Sequence, residues 1–331
     1  MTPIKSPQTE TPTLSGKASG IALINKPEGV TSFDCVRALK KAWQRTDLGH
    51  GGTLDRFASG LLVILAGEGL KLSRFFLEDH PDLSTHWKIY RARLQLGYET
   101  DTGDPTGSMK EQAAVPSQLS EQQIQDAMNS FVGNIYRQRP PVYSAKKVQG
   151  QRASDLARAG QAPELSEVSV DIRHFSHLNS NLKPPQTIDF DVTCSKGTYI
   201  RVLGEDLARK LETRGHLQML HRRGIGQFSV EHAFHLEDAR NRKDTDVLIP
   251  LKQATEFIPS ILLNSTQAED LRCGRTQDLL AELSTRKPGV YLYRNQNHEP
   301  LAVAQCFEAS QSECSEKELV SARILRAFVT A

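Results

Sequence analysis

The sequence predicts an α+β protein with a small strand-rich part at its C-terminal end. Three observations predict it. Several segments alternate apolar and polar residues at a period of two, others carry apolar residues at helical spacing behind a capping residue, and a polar, irregular stretch at 236–256 (EDARNRKDTD at its centre) precedes a strand-rich end. The 331 residues, 38% apolar and 24% charged, suit one large domain plus a small one. No apolar run approaches the roughly 18 residues of a spanning helix, since the longest is Leu61 to Ala66. We therefore expect no membrane partner and a cytoplasmic location.

Taken in order, residues 1–19 are rich in Thr, Ser and Pro, lack the apolar centre of a signal peptide and read as a disordered tail. GIALINKPEG is a short strand that stops at Lys26-Pro27, because proline lacks the N–H a central strand needs. Thr31 or Ser32 then caps a helix with Phe33, Val36, Leu39 or Lys40, and Trp43 at helical spacing. GHGGTLDRFASG is a glycine-rich loop, LLVILAGEG a buried strand and GLKLSRFFL a short helix. From Lys88 the alternation puts Tyr90, Ala92, Leu94 and Leu96 on one face of a strand, with mostly charged residues on the other. Ser120 and Gln123 form a capping box before Ile124, Met128 and Phe131. RQRPPVYSAKK is a basic Pro-Pro loop. Strands follow around Val168–Phe175 and Ile188–Cys194, and TYIRVLGEDLARKLETRG is a helix with Leu203, Leu207 and Leu211 on one stripe, ended by Gly215. In the last part, STQAEDLRCGR is a capped helix, GVYLYRNQNHEPLAVAQC a hairpin around Asn295 to Glu299, and ELVSARILR a closing strand.

Familiar cofactor motifs are missing. The chain has no GxxxxGK[ST] and no GxGxxG after a strand. DTGDPTG at 101–107 fails as a calcium loop, with Gln112 at the twelfth position and Gly103 at the third instead of the sixth. The five cysteines (Cys35, Cys194, Cys273, Cys306, Cys314) show no CxxC and no Cys/His cluster, so they read as reduced, mostly buried thiols. His216 and His221 are five apart, off helical metal spacing, and read as facing solvent or RNA. No metal, no nucleotide cofactor and no other cofactor is expected. The net charge, +2 from 41 basic and 39 acidic residues, does not announce a nucleic-acid partner either.

What remains is Asp55 in its glycine-rich loop, with Tyr199 and Arg201 at a strand-to-helix junction (CSKGTYIR) and Tyr90 on an inward strand face (KIYR). Singly, a loop aspartate most often caps a turn and a buried tyrosine is most often core. Together GHGGTLDRFASGLLVILAGEGLKLSRF, KIYRARLQLGYETDTGDPTG, RPPVYSAKKVQGQRASDLARAG and CSKGTYIRVLGEDLARKL, with INKPEGVTS before them, resemble in order and spacing the signature blocks of the bacterial tRNA pseudouridine synthase B (TruB) family. The resemblance covers about residues 20–230.

That resemblance implies a pseudouridine synthase fold with a long mixed or antiparallel central sheet flanked by helices in residues 20–256, and a PUA-like RNA-binding domain in 257–331. It implies isomerisation of uridine to pseudouridine at position 55 in the T-loop of tRNA, by base flipping, with tRNA bound through its T-loop and acceptor stem by a protein monomer. Asp55 matches the family's catalytic aspartate, Tyr90 the tyrosine that stacks on the base, and Arg201 the aspartate's partner. His50 matches the histidine that enters the T-loop, Leu220 the apolar wall, and Lys26 and Tyr199 match supporting pocket residues. Alternative readings are a ribosomal-RNA pseudouridine synthase and a tRNA-folding chaperone without catalysis.

One departure stands out: the family usually has proline after the aspartate, and this chain has Arg56. Arg56 loosens one φ angle and adds a charge that could tune Asp55 or meet a phosphate. Charge is also uneven along the chain. Residues 137–158 hold six basic residues against one acidic, and 194–223 hold seven against three, so both segments are expected to contact phosphates.

Overall fold

The computed structural model describes residues 18–78, 80–143, 147–148, 151–152, 156, 161, 165–307 and 322–328. Most of the predicted tail, Cys314, and Lys146, Asp155 and Arg158 of the basic loop lie outside the described residues.

The chain forms β1 (Gly20–Lys26), α1 (Ser32–Ala42), β2 (Leu48–His50), β3 (Ser59–Ala66), α2 (Ser73–Leu77), β4 (Trp87–Leu96), β5 (Tyr98–Thr100), β6 (Met109–Gln112), α3 (Glu121–Asn129) and β7 (Ile135–Gln138). After the short pair β8 (Lys147–Val148) and β9 (Gln151–Arg152) come β10 (Val168–Asn181), β11 (Thr187–Ser195), α4 (Ile200–Lys210), β12 (Gly215–Ile225), β13 (Phe228–Ser229), β14 (Phe234–His235) and β15 (Ile249–Pro250). The last part holds β16 (Ser260–Leu262), helices at Ser265–Arg272 and Gln277–Ser284, β17 (Gly289–Arg294), β18 (Pro300–Cys306) and β19 (Ala322–Ala327).

Eleven strands make one mixed sheet, eight of them along the path β14-β1-β3-β12-β4-β11-β10-β7, with β13 on β12, β15 on β1 and β2 on β3. The pairings from β12 through β7 are antiparallel, while β3–β12 and β1–β14 are parallel. The central strand β4 explains why the sheet has one dry face. Its inward residues Tyr90, Ala92, Leu94 and Leu96 join Leu54, Leu203, Leu207, Leu217 and Leu220 in one apolar cluster, which α3 and α4 cover. Its outward residues form cross-strand pairs instead: Arg91 with Asp191 and Arg93 with Asp189, each bidentate at 2.6–2.8 Å.

The predicted caps form. Thr31 caps α1 and Ser120 caps α3, each with a reciprocal capping box. The helical stripe of α1 is corrected, however: Ser32, Cys35, Val36 and Leu39 are buried, whereas Phe33 is 60% exposed under the Arg37 guanidinium. Ser32 is drawn inward because its hydroxyl accepts from the Leu54 N–H at 2.9 Å. The helix from Tyr199 also ends earlier than expected, at Lys210, where Glu212 takes a positive φ of 58° and the chain turns into β12.

The last part builds its own four-stranded sheet, β16-β17-β18-β19, with the expected hairpin between β17 and β18. Its inner face is not isolated. Val290, Leu292, Val303, Leu325 and Phe328 pack with Phe76, Ile225, Phe228 and Phe257 in one apolar group. Among the described residues no helix is long and apolar enough to cross a membrane.

Candidate active site

The loop between β2 and β3 carries Asp55, and three anchors set its path. Ser32 takes the Leu54 N–H. Gly60, at φ +103°, lies so close to β12 that a Cβ there would sit 2.3 Å from the Arg222 carbonyl oxygen, so only glycine fits. Arg222, the third anchor, is completely buried. Its Nε donates to the Leu61 carbonyl at 2.7 Å, Nη2 to Gly52 at 3.1 Å and Nη1 to Thr53 at 3.4 Å. A guanidinium is suited to this, because its planar fork satisfies several carbonyls in fixed directions.

Arg201, in the first turn of α4, faces the loop from the other side. Its Nε lies 2.9 Å from Asp55 Oδ2 and its Nη2 3.3 Å from Oδ1, a two-pronged pair between a side chain 4% exposed and a carboxylate still 38% open. Its remaining capacity goes to the carbonyls of Thr102 (2.6 Å) and Tyr143 (3.0 Å), with Asp104 Oδ2 at 3.8 Å. Asp104 is itself held by Thr102 and by the Thr106 backbone and hydroxyl. The DTGDPTG segment is thus the cradle of Arg201, a role its failed match to a metal loop concealed.

Tyr90 and Leu220 line the same apolar group as Leu54, with Leu220 opposite Ala92 and Arg222 opposite Tyr90 across the β4–β12 ladder. Burial raises the Tyr90 phenol above its ordinary value, against the pull of the neighbouring Arg222 charge. Lys26 is fully buried at the end of β1, its ammonium donating to the carbonyls of Pro27 (2.9 Å) and Val30 (2.8 Å). Burial lowers it to about 8, with Cys35 and then Asp55 pulling the other way. His50 ends β2, half-buried, and its Nδ1 accepts from the Gly52 N–H at 3.3 Å; burial, then Arg222, depresses its basicity. Tyr199 is the N-cap residue of α4, and its N–H donates to Gln138 Oε1 at 2.6 Å.

Two residues were not singled out by sequence: Arg222 and Lys88. Lys88 shares the inward face of β4 with Tyr90, and burial, then Arg222, brings it down to about 7. Its signal was available, since Lys88 lies two residues before Tyr90 and Arg222 two after Leu220, so alternation aims both inward.

The histidine and basic-segment expectations need correction. His216 is buried although it faces away from Leu217, opposite Gln95, because Tyr98 covers it: its Nδ1 lies 3.1 Å from the Tyr98 carbonyl and the two rings are 4.6 Å apart. His221 is half-buried against Ser59 Oγ at 3.0 Å. Of the cations in 194–223, Arg201 and Arg222 are buried, and Arg209, Arg214 and Arg223 are paired with Glu99, Glu111 and Asp191. These arginines are therefore engaged within the fold, whereas Lys210 is exposed over the Phe131 ring. Arg137 and Arg139 of the other segment are exposed. Among the described residues no group of three or more His, Cys, Asp or Glu is placed to hold a metal ion.

The chain is similar to known proteins. A family model described as TruB family pseudouridylate synthase (N terminal domain) matches residues 40–200. The tRNA pseudouridine synthase B of Clostridium tetani is 36% identical over 264 residues, 77% of this chain and 87% of that protein. That of Hydrogenovibrio crunogenus is 36% identical over 278 residues, 84% of this chain and 86% of its own. Among solved structures, a Cbf5–Nop10–Gar1 complex aligns with a TM-score of 0.64 at 20% identity, covering 94% of this chain and 85% of the matched one. An H/ACA RNP bound to a substrate RNA containing 2′-deoxyuridine aligns with a TM-score of 0.63 at 18% identity, covering 94% and 85%. The expected fold is therefore the one the chain has, and the chain belongs to the TruB family of pseudouridylate synthases.

Proposed function

We propose that this chain converts uridine to pseudouridine at position 55 in the T-loop of tRNA, with Asp55 as the catalytic carboxylate. The observation that carries the reading is the two-pronged Asp55–Arg201 pair at 2.9 and 3.3 Å, on a loop packed against Tyr90 and Leu220. The relatives' printed name, tRNA pseudouridine synthase B, supports tRNA as the substrate.

The reaction breaks the N1–C1′ bond, turns the detached uracil and rejoins it through C5 to C1′, with loss of the C5 proton and gain of one at N1. Nothing is oxidised and no group leaves the molecule. One carboxylate suffices, either adding covalently to the substrate or removing a sugar proton as the base departs. Arg201 supports both routes by holding the carboxylate aimed while one side stays open. The target base must leave its stack, at a cost of a few kcal/mol. Stacking on Tyr90 offsets part of this, about 1–3 kcal/mol per base. Leu220 walls the uracil pocket, His50 fills the vacated stack, and Lys26 and Tyr199 are supporting pocket residues. Residues 20–256 act as the catalytic domain and 257–331 as a PUA-like domain touching the acceptor stem, in a monomer.

The test is tritium release from tRNA labelled at C5 of uridine, with pseudouridine mapped afterwards. Asp55→Asn is expected to cut release by at least about a hundredfold, the low end for a positioned proton-transfer group, while tRNA binding persists. Release that survives this substitution refutes the catalytic assignment. Equal activity on ribosomal RNA and on a T-loop hairpin refutes the substrate.

A further inference from the structure

We propose that Arg56 is a substrate-binding residue that takes a phosphate beside the target nucleotide; the inference rests on the reading of Asp55 as the catalytic carboxylate. Arg56 stands where the family usually has proline.

Its backbone carbonyl accepts from the Gly29 N–H at 2.8 Å, and its Nε donates to the Gly29 carbonyl at 2.7 Å. Two bonds thus tie the residue after Asp55 to the turn that follows β1, where Gly29 has φ +81°. The Pro27 and Val30 carbonyls of that turn are the ones that hold Lys26. Arg56 therefore does not loosen the loop as expected from losing proline; the clasp replaces the lost φ restriction.

The clasp uses one of the guanidinium's five donors. Buried structural arginines of this chain leave far less capacity idle. Arg222 bonds three carbonyls, and Arg45 bonds Asp47 twice, Asp244 and the Ala18 carbonyl. Arg56 is exposed, and among the described residues its Nη1 and Nη2 meet no acceptor. Asp34, an acid close enough to feel its charge, is already bonded to the Thr31 N–H and hydroxyl and paired with Arg37 at 3.1 Å.

What the free edge meets follows from the chemistry next door. No RNA can bring C1′ of a nucleotide to Asp55 without bringing the phosphates covalently attached on either side of it. Fixing Nε in advance lowers the ordering cost of the planar fork that matches a phosphate. The arginines of 194–223 do not compete for this role, being buried or ion-paired.

The test separates binding from turnover. In an Asp55→Asn background, tRNA binding is measured between about 50 and 200 mM KCl, where loss of one phosphate contact flattens the log–log salt slope by about 0.7–0.9. Arg56→Ala is expected to show that loss, and Arg56→Lys to keep the slope. With Asp55 intact, Arg56→Ala should raise KM about tenfold, equivalent to about 1.4 kcal/mol, with kcat little changed. An unchanged slope in Arg56→Ala, an equal loss in Arg56→Lys, or a fall in kcat alone overturns the proposal. Tritium release by Asp55→Asn itself would instead overturn the catalytic reading, whatever the slopes.

Discussion

Replacing Arg222 by methionine tests how the Asp55 loop is held. The side chain has no exposed surface and makes three hydrogen bonds, at 2.7, 3.1 and 3.4 Å, to carbonyls of Leu61, Gly52 and Thr53. Charge-assisted bonds contribute about 1.5–3 kcal/mol each, so three would sum to about 4.5–9 kcal/mol. Two effects reduce that sum. The Thr53 contact is long, and methionine no longer requires a guanidinium to be desolvated. Against this, the freed carbonyls lie in a dry interior, each costing about 1–3 kcal/mol if unpaired. The net expectation is a loss of about 3–5 kcal/mol, within the range for breaking a buried charged network. At about 2–4 °C per kcal/mol for chains approaching this size, Tm should fall by about 6–20 °C. Thermal unfolding followed by circular dichroism measures it, and Arg222→Lys should recover only part, since an ammonium cannot reach three divergent carbonyls. A Tm within about 2 °C of the parent would refute the claim that Arg222 anchors the loop.

Two further substitutions follow from the same region. Gly60→Ala places a Cβ 2.3 Å from the Arg222 carbonyl at φ +103°, so it should cost more than about 3 kcal/mol, through strain and displaced backbone together; urea midpoints near the parent's would contradict this. Lys88 and Lys26 titrate at about 7 and about 8 in the fold and near 10.5 when unfolded. The unfolded chain therefore binds more protons between these values, and these two groups make stability rise from about pH 7 to pH 9. Lys88→Met should flatten that rise, and a parallel pH profile of urea midpoints in the variant would show that Lys88 is not the buried base described.

The sheet was legible because strand chemistry is local. Alternation in KIYRARLQL placed Tyr90, Ala92 and Leu94 inward, and the facing carboxylates Asp189 and Asp191 pair with the outward arginines. The caps at Thr31 and Ser120 were legible for the same reason. Asp55, Tyr90 and Arg201 were found through the resemblance, and the structure brings the last onto the first while Tyr90 lies in the packed group under the loop. Arg222 and Lys88 were missed because a sequence does not distinguish a cation that binds backbone carbonyls from one that faces solvent. Only the strand's period does, and it has to be carried through the charged positions as well as the apolar ones. Phe33 shows the converse: i, i+3 spacing admits two neighbouring stripes on α1, and the tertiary bond from Ser32 to Leu54 selects the one that leaves Phe33 outside.

Charge near the site divides by what it touches rather than by how much of it there is. Arg201 and Arg222 face into the loop from α4 and β12, one ending on a carboxylate and the other on carbonyls, so both are fully engaged before any RNA arrives. Arg209 is held by Glu99, which is 1% exposed, and Arg214 by Glu111. Releasing Arg209 to a phosphate would leave the buried Glu99 carboxylate without that partner, a cost that a phosphate contact at the surface does not repay. Arg56 beside Asp55, Arg137 and Arg139 at the start of the basic loop, and Lys210 are exposed with no acid partner among the described residues, so a phosphate meets them without breaking an ion pair.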